Sequence, residues 1–520
     1  MAHLYLNKTK TRIHVDGAIA VPITLRPFAN TKPTRSYPVC HDVVRRLCDE
    51  NSDLHVMPDV REALEAQADL NERCLAAAED RSPGSFRPRS MPHQRGGARW
   101  LRTRRRGILA DATGTGKTVT SLIATRSSDR VVVVCSNTKR PDWVQHAEDW
   151  GSGLVSRVVE SNHLVDAVEP GECCVMGYEA ARRHAGRIRG DVLILDEAHG
   201  LRNRHTALTQ GIIRLARRFR NVYMLTATPV VNRPDDVWPL LHIADRFRFS
   251  SYWDFVCRFQ MVEFGYFGVK VRGLRPPEET HYWALLNEYM LQRDKDASTL
   301  PDLVRRKTTH DLQGDQRRLY HDMMKHDVAT FADERIEAVE AVAKITRLRQ
   351  LALHPGLIWP SYGGPSKLDT LVDVLAEDPQ ATTVVFSMFS DLIALAAERL
   401  TTEGYRTAVI TGEVSNHRRE EQLRAFDRGE IDVLLVTHGT GGEGLNLVAA
   451  RRAVMLDLAW HPAGNGQARD RIYRYGQTAE SVEVIYIQSA DTIEDHVLSI
   501  LANKEPVTIA NLARRLTLDG

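Results

Sequence analysis

Short apolar runs alternate with helical patterns in two separate parts of the chain, and each run is continuous rather than alternating. The first series comprises residues 131–135, 192–195 and 222–225. The second comprises residues 384–386, 408–410, 433–436, 453–456 and 484–487. Continuous runs are typical of strands that are buried on both faces of a parallel sheet. The pattern therefore predicts two α/β domains in tandem.

The rest of the chain predicts smaller units around these two domains. Residues 1–82 contain strand-like pieces at 12–15 and 18–25 and a helical pattern over 59–78, which predicts a small N-terminal α+β accessory module. The first α/β domain is expected over 83–245 and the second over 365–520. Residues 246–364, with an amphipathic pattern near 335–353, are predicted to be a helical insertion.

Composition narrows the class of protein. The chain has 520 residues, of which 43% are apolar and 26% charged, as in ordinary globular proteins of two or three domains. No apolar run approaches the ~20 residues that span a bilayer, and the first residues lack a signal-peptide pattern. Seven scattered cysteines without a CxxC pair argue against a disulfide framework or a zinc site. We therefore expect a cytoplasmic protein with no membrane association.

An arginine-rich stretch precedes the first α/β domain. Residues 81–106 contain nine arginines and no Asp or Glu, although the net charge of the whole chain is only +2. Two interpretations stay open at this point. The arginines either form a solvated surface or contact nucleic-acid phosphates, since arginine neutralises phosphates and releases their counterions.

A glycine-rich loop predicts a nucleotide site. Residues 107–118 contain a short apolar run and end in Gly114-Thr-Gly-Lys117-Thr118, and a helical pattern follows them. Glycines let successive backbone N–H groups surround phosphate oxygens, Lys117 would reach the β- and γ-phosphates, and Thr118 would hold Mg²⁺. Asp111 occupies a position where a strict P-loop has glycine. The predicted nucleotide-binding residues of this loop are Asp111, Ala112, Thr113, Gly114, Thr115, Gly116, Lys117 and Thr118.

A second element supports this interpretation. Residues 191–199 form an apolar strand pattern that ends in Asp196-Glu197-Ala-His199. Asp196 at a strand tip can bind Mg²⁺, directly or through water, and Glu197 can accept a proton from the attacking water. The two elements together predict an ATP-hydrolysing site in which Lys117, Asp196 and Glu197 are catalytic.

Further strings along the chain point to a family. They are Leu225-Thr-Ala-Thr-Pro-Val-Val-Asn232, Leu348-Arg-Gln-Leu-Ala-Leu-His-Pro355, Thr437-His-Gly-Thr-Gly-Gly-Glu-Gly-Leu-Asn-Leu447 and Gln467-Ala-Arg-Asp-Arg-Ile-Tyr-Arg-Tyr-Gly-Gln477. With the loop and the acidic box, they resemble the motifs of the Swi/Snf (Snf-type) branch of superfamily-2 helicases, over about residues 85–505. The resemblance implies two tandem RecA-like domains. The chain departs from the family pattern at Ala112, Thr113, Thr115 and His461, and none of these removes a group that the chemistry needs.

The resemblance implies further nucleotide contacts. Gln94 occupies the position of the family's adenine-recognising glutamine, although a surface glutamine is the alternative. Arg471 and Arg474 would reach the γ-phosphate from the second domain, and pairing with Asp470 or Glu494 is the alternative. Gly442 and Glu443 are also expected to contact the nucleotide.

The resemblance also implies backbone contacts to DNA with little reading of base sequence. Thr226 and Thr228 would link the ATP site to DNA, although hydroxyls at a strand end can also be local caps. The predicted DNA-binding and coupling residues are Asn137, Lys139, Arg202, Asn203, Thr226, Thr228, Thr437 and Gly441.

The short middle insertion suggests a subgroup. Met290-Leu-Gln-Arg-Asp-Lys295 and Leu300-Pro301 resemble a stretch of annealing helicases, which rewind DNA and remodel forks. We therefore expect an ATP- and Mg²⁺-dependent monomeric motor on duplex or branched DNA, of bacterial or phage origin, with its protein partners left open. A strand-separating helicase or the motor subunit of a restriction or defence assembly is the alternative. A DNA-binding clamp that hydrolyses ATP poorly is a third hypothesis.

Overall fold

The computed structural model divides the chain into two compact units, Met1–Lys295 and Asp296–Gly520. It describes residues 2–6, 12–16, 36–38, 41–84, 86, 89–151, 153–159, 168–230, 233–265, 268–295, 300–332, 334–338, 340–439, 445, 447–459, 462–495 and 497. The strand pattern predicted at 18–25 lies outside these residues.

The first unit begins with a small mixed sheet and two helices. In chain order the elements are β1 (Ala2–Leu6), β2 (Arg12–Asp16), β3 (Ser36–Pro38), α1 (His41–Glu50), β4 (Leu54–Val56) and α2 (Pro58–Glu79). The strands lie in the order β3-β2-β1-β4. Their apolar side chains, with those of the helices, form a separate small core that includes Leu4, Ile13, Leu47 and Val60.

The main part of the first unit is a doubly wound α/β domain. Its strands are β5 (Arg106–Leu109), β6 (Val131–Cys135), β7 (Val155–Val159), β8 (Glu172–Gly177), β9 (Gly190–Leu195), β10 (Phe219–Leu225), the hairpin β11 (Gln260–Gly265) and β12 (Gly268–Leu274), and β13 (Met290–Leu291). Its helices are α3 (Pro92–Arg104), α4 (Lys117–Ile123), α5 (Arg140–Trp150), α6 (Tyr178–His184), α7 (Ala207–Ala216), α8 (Trp238–Ala244), α9 (Tyr252–Phe259) and α10 (Glu279–Tyr289).

Parallel pairing in this domain brings distant loops to one edge of the sheet. Among the described residues, seven strands pair in the order β13-β5-β10-β9-β6-β8-β7, all of them parallel. Both faces are covered, because one apolar cluster contains Ile108, Val132 and Leu193 and another contains Leu109, Val133 and Ile194. The carboxyl ends of β5, β9 and β10 are adjacent, so the loops that follow them meet there.

The second unit repeats this architecture. Its elements are β14 (Asp302–His310), α11 (Gly314–His326), β15 (Val328–Phe331), β16 (Glu334–Glu337), α12 (Ala341–Leu353), α13 (Lys367–Ala376), β17 (Thr383–Ser387), α14 (Ser390–Thr402), β18 (Thr407–Ile410), α15 (Asn416–Asp427), β19 (Val433–Thr437), β20 (Arg452–Met455), α16 (Pro462–Arg469) and β21 (Ser481–Ser489). The main sheet is parallel in the order β14-β21-β20-β17-β19-β18. The predicted fold class of two tandem RecA-like parallel-sheet domains is confirmed.

The range 246–364, predicted as a helical insertion, also contributes strands to both main sheets. Met290–Leu291 extends the first sheet beside β5, and Asp302–His310 extends the second beside β21. The amphipathic pattern near 335–353 contains a helix only from Ala341, because Glu334–Glu337 pairs with Val328–Phe331 in a hairpin. Each of these strands depends on a partner that is remote in sequence or lies across a turn, so local periodicity did not predict it.

The arginine-rich stretch has structural roles that neither sequence interpretation anticipated. Arg95, Arg99, Arg102 and Arg106 each donate hydrogen bonds to backbone carbonyl oxygens of the first unit. The bonds of Arg102 and Arg106 are partly buried, where carbonyl oxygens need such donors. Within the described part of the chain, no helix is both long enough and apolar enough to cross a bilayer.

Candidate active site

The glycine-rich loop connects β5 to α4 at the carboxyl edge of the first sheet. Gly114 and Gly116 have φ angles of +79° and +82°, a region that favours glycine. A Cβ atom on Gly116 would lie 2.3 Å from Nε2 of Gln94, so glycine is also required there by space. The loop enters the N-terminus of α4, and this arrangement binds anions through backbone N–H groups.

Lys117 begins α4 and its side chain folds over the loop. Its Nζ donates to the carbonyl oxygens of Asp111 at 2.8 Å and Ala112 at 3.2 Å. Burial lowers the pKa of Lys117, and the carboxylates of Glu197, Asp111 and Asp196 oppose that effect. The lysine is therefore held beside the loop by weak carbonyl acceptors that a phosphate can replace.

The remaining loop residues follow the predicted arrangement. Thr115 is buried, and its Oγ1 donates to the carbonyl oxygen of Ala112 at 2.8 Å, which closes the loop. Thr113 and Gly114 lie at intermediate exposure in the turn, and Thr118 follows Lys117 in the first turn of α4.

Gln94 is buried rather than on the surface, with 6% of its surface exposed. Its Oε1 accepts the backbone N–H of Met91 at 2.9 Å, which caps α3. Its Nε2 donates to the carbonyl oxygen of Thr115 at 3.3 Å. Gln94 therefore lies against the phosphate loop and not on the surface, and its contact with adenine stays a prediction.

The acidic pair lies at the end of β9, which pairs with β10 on one side and with β6 on the other. The carboxylate of Asp196 accepts hydrogen bonds from Trp143 Nε1 at 3.0 Å and from the backbone N–H of Glu197 at 3.0 Å. The hydroxyl of Tyr178 donates to the Asp196 carbonyl oxygen at 2.6 Å. Glu197 adopts φ +49°, a strained backbone for a residue with a side chain, and such strain concentrates at functional sites.

Lys139 makes an unexpected contact with both carboxylates. Its Nζ lies 3.3 Å from Asp196 Oδ2 and 3.3 Å from Glu197 Oε1. Burial alone would raise the pKa of Glu197, but His199 and the ammonium groups of Lys139 and Lys117 lower it below its ordinary value. Lys139 was predicted to contact DNA, and in the structure its ammonium instead lies beside both carboxylates of the acidic box.

A chain of polar contacts connects the acidic box to the strand-end threonines. His199 Nδ1 lies 3.4 Å from Glu197 Oε2 and 3.3 Å from Thr226 Oγ1. Thr226 Oγ1 accepts the backbone N–H of Thr228 at 3.1 Å. The hydroxyl of Thr226 therefore acts as a local cap, as the alternative interpretation predicted. The same hydroxyl also contacts His199, which lies beside Glu197 of the acidic box.

Of the predicted DNA contacts in the first unit, three lie at the surface. Asn137, Arg202 and Asn203 are exposed in the loops after β6 and β9. Asn203 Oδ1 accepts the backbone N–H of His205 at 3.0 Å, which fixes that turn. Their role with DNA stays a prediction.

The second unit places the two predicted arginines side by side. Arg471 has 8% of its surface exposed. Burial and the neighbouring Arg471 guanidinium lower the pKa of Arg474 to about 10. Arg474 Nε is buried and makes no hydrogen bond to any described residue. Two close guanidinium groups in one buried place fit an anion such as a terminal phosphate.

The two carboxylates considered as alternative partners of these arginines each lie close to another cation. Asp470 Oδ1 lies 2.9 Å from Arg469 Nη2, and Glu494 Oε1 lies 2.7 Å from Lys367 Nζ. Glu494 is therefore paired with Lys367, whereas the carboxylate of Asp470 lies close enough to Arg474 to oppose the lowering of its pKa. Thr437 lies at the end of β19. Gly441, Gly442 and Glu443 lie outside the described residues.

Sequence reasoning missed several residues that shape the site. Trp143 and Tyr178 orient Asp196, and Arg293 forms an ion pair with Asp111. His93 Nε2 lies 2.8 Å from the carbonyl oxygen of Thr115. Only Trp143 carries a local signal, as a buried indole in an amphipathic helix that follows a strand.

Comparison with known proteins gives consistent matches. Residues 93–357 match the SNF2-related domain, and residues 366–476 match the Helicase conserved C-terminal domain. The chain is 26% identical to the "Probable global transactivator" of Orgyia pseudotsugata multicapsid polyhedrosis virus, over 80% of this chain and 90% of the viral protein. It is 26% identical to the mouse "Chromodomain-helicase-DNA-binding protein 1-like", over 77% of this chain and 47% of that protein.

Two further similarities complete the comparison. The human "DNA annealing helicase and endonuclease ZRANB3" is 23% identical over 83% of this chain and 41% of its own length. The chain therefore spans less than half of either animal relative. Among solved structures, the Sulfolobus solfataricus SWI2/SNF2 ATPase core in complex with dsDNA aligns with 19% identity and a TM-score of 0.39, over 84% of this chain and 96% of that chain. The SNF2-related domain model matches half of this chain, and the helicase C-terminal domain model matches the part after it. This chain therefore belongs to the SNF2-related family and is an enzyme of the DNA-dependent ATPase and helicase class.

Proposed function

We propose that this chain hydrolyses ATP with Mg²⁺ to translocate on duplex DNA, and that it remodels or anneals branched and forked DNA. The observation that best supports this proposal is the contact chain Glu197–His199–Thr226–Thr228. It ties a catalytic carboxylate to the loop after β10, which the sequence motifs assign to coupling with DNA. A site that only binds nucleotide has no need for such a connection.

Each residue of the nucleotide site has a role in this proposal. The glycine loop and the N-terminus of α4 bind phosphate oxygens, and Lys117 exchanges its carbonyl acceptors for them. Thr118 and Asp196 would hold Mg²⁺, which supplies charge neutralisation at the phosphates when bound. Glu197, kept ionised by the lysines and His199, orients the attacking water and accepts its proton. Arg471 and Arg474 stabilise charge on the terminal phosphate.

The DNA part of the proposal is supported by exposed polar groups and by the relatives. Asn137, Arg202 and Asn203 are exposed and can donate to phosphate oxygens, a type of contact that positions a duplex without reading its bases. The human relative is named a DNA annealing helicase, and its similarity to this chain spans 83% of the chain. We therefore favour rewinding or remodelling of branched DNA over strand separation.

Two assays on the same protein separate these activities. Complementary strands held apart by a single-strand-binding protein should rewind when the protein and ATP are added, whereas a blunt duplex should not be separated. Glu197→Gln is the matched control, because it removes the catalytic carboxylate but keeps the size of the side chain. ATP-dependent strand separation without rewinding would instead support the helicase alternative.

A further inference from the structure

The carboxylate of Asp111 is an unusual component of a phosphate-binding loop. It stands at a position where a strict P-loop has glycine, and only 1% of its surface is exposed. A buried carboxylate next to bound phosphates is unfavourable unless a cation is paired with it, because both desolvation and like charge oppose it.

Arg293 supplies that cation from a distant part of the chain. Its Nε and Nη2 donate to the two carboxylate oxygens of Asp111 at 3.0 and 2.6 Å, a bidentate ion pair. Its Nη1 donates to the carbonyl oxygen of His93 at 2.7 Å. One guanidinium therefore contacts both the phosphate loop and the first turn of α3, where Gln94 also lies.

The backbone around Arg293 is joined to the same loop. The N–H of Ala110 donates to the carbonyl oxygen of Leu291 at 2.7 Å, and the N–H of Ala112 donates to that of Arg293 at 2.9 Å. The parallel pairing of β13 with β5 thus continues into the loop itself. A Cβ atom on Gly97 would lie 2.6 Å from Arg293 Nη2, so a larger residue there would displace the guanidinium.

The position of this residue in the chain gives the contact a second consequence. Arg293 lies two residues before Lys295, the last residue of the first unit, and the second unit begins at Asp296. The segment that leaves the first unit is therefore fixed to the phosphate loop by one side chain and two backbone hydrogen bonds.

We propose that Arg293 is a positioning residue for nucleotide binding, and that it couples the conformation of the phosphate loop to the segment that joins the two units. The proposal rests on the proposed ATPase function, since it concerns the same nucleotide site. It assigns the Met290–Lys295 stretch to nucleotide binding rather than to the choice of DNA substrate. Bidentate geometry matters, so lysine cannot replace Arg293 fully.

Nucleotide affinity without DNA tests the positioning role. Arg293→Gln should weaken binding of a fluorescent ADP by about tenfold or more, which corresponds to about 1.4 kcal/mol. Arg293→Lys should fall between Arg293→Gln and the wild type. The double variant Arg293→Gln with Asp111→Asn should recover most of the lost affinity, because it removes the unpaired buried charge. In steady-state hydrolysis, Arg293→Gln should raise KM more than it lowers kcat.

Arg46→Gln is the matched control for a purely structural loss. It removes a bidentate ion pair with Glu278 in the same unit, whose side chains are 13% and 10% exposed. It should lower the melting temperature without changing affinity for the fluorescent ADP. If Arg293→Gln keeps wild-type affinity and KM, or behaves like Arg46→Gln, the proposal is wrong. If the wild type binds no nucleotide, the proposed function itself fails, which is a distinct result.

Discussion

The contact of Lys139 with the acidic box makes a quantitative prediction. Lys139→Met keeps the aliphatic stem and removes the ammonium, which leaves Asp196 and Glu197 beside each other without their shared cation. Two unit charges about 4 Å apart interact by about 4 kcal/mol near a protein surface. The side chains of Lys139 and Asp196 are 13% and 10% exposed, but that of Glu197 is 34% exposed, so solvent screens part of the interaction.

The expected loss lies at the lower end of the range for broken buried pairs, about 3 kcal/mol. For a unit that spans Met1–Lys295, it corresponds to a fall in melting temperature of about 5 °C. Thermal unfolding followed by circular dichroism measures it, and Lys139→Arg, which keeps the charge, should lose much less. Addition of Mg²⁺ with ADP should reduce the difference between Lys139→Met and the wild type, because the metal supplies another cation for the same carboxylates.

Acid provides an independent check on the same contact. The pKa of Glu197 in the folded protein is below its ordinary value of 4.5, so the unfolded chain takes up the proton first as the pH falls. The stabilisation is therefore fully present above about pH 4.5 and is lost below it. The difference in melting temperature between the wild type and Lys139→Met should therefore become smaller below about pH 4.5. If Lys139→Met melts within about 1 °C of the wild type at neutral pH, the contact of Lys139 with the acidic box does not stabilise the fold.

Four substitutions in the nucleotide site separate nucleotide binding, hydrolysis and coupling to DNA. Lys117→Ala should abolish hydrolysis and weaken nucleotide binding, whereas Glu197→Gln should keep the nucleotide affinity within about twofold and lower kcat by about 10³. Titration with a fluorescent nucleotide measures the affinity and phosphate release measures kcat. A Glu197→Gln variant with normal kcat would exclude this residue as the base. Arg474→Gln should lower kcat by about 10³ and leave ADP affinity nearly unchanged, since its partner is the terminal phosphate; an equal loss of ADP affinity would contradict that role. Thr226→Val should lower the rate of hydrolysis with DNA more than the rate without DNA, because it removes the hydroxyl between His199 and Thr228. An equal loss of both rates would show that Thr226 has only a structural role.

The buried strands of both sheets could be predicted from the sequence because their signal is local. The run Val131–Cys135 is a strand with the predicted bounds, and every one of its side chains is buried. By contrast, β14 contains charged residues throughout Asp302–His310 and lies at the edge of the second sheet, where alternate side chains are exposed. The strand β8 (Glu172–Gly177) contains the buried apolar run 173–176, a local signal that the prediction did not use.

The residues of the nucleotide site could be predicted as a set, but their contacts could not. The motifs predicted Lys117, Asp196 and Glu197 because each motif has a single position for the lysine or the carboxylate that the chemistry needs. The ion pair between Asp111 and Arg293 joins residues 182 positions apart, and no local pattern indicates it. The family resemblance assigned Lys139 to DNA together with Asn137, and only the folded path of the segment after β6 brings its ammonium to the acidic box.

Stimulation of ATP hydrolysis by DNA tests the central claim most directly. Phosphate release by the wild type should be measured without DNA and with single-stranded, duplex and forked DNA, beside Glu197→Gln to correct for contaminating activity. We predict low hydrolysis alone, a rise of at least about tenfold with duplex, and the largest rise with forked DNA. A rate that is the same with and without every DNA would contradict the account.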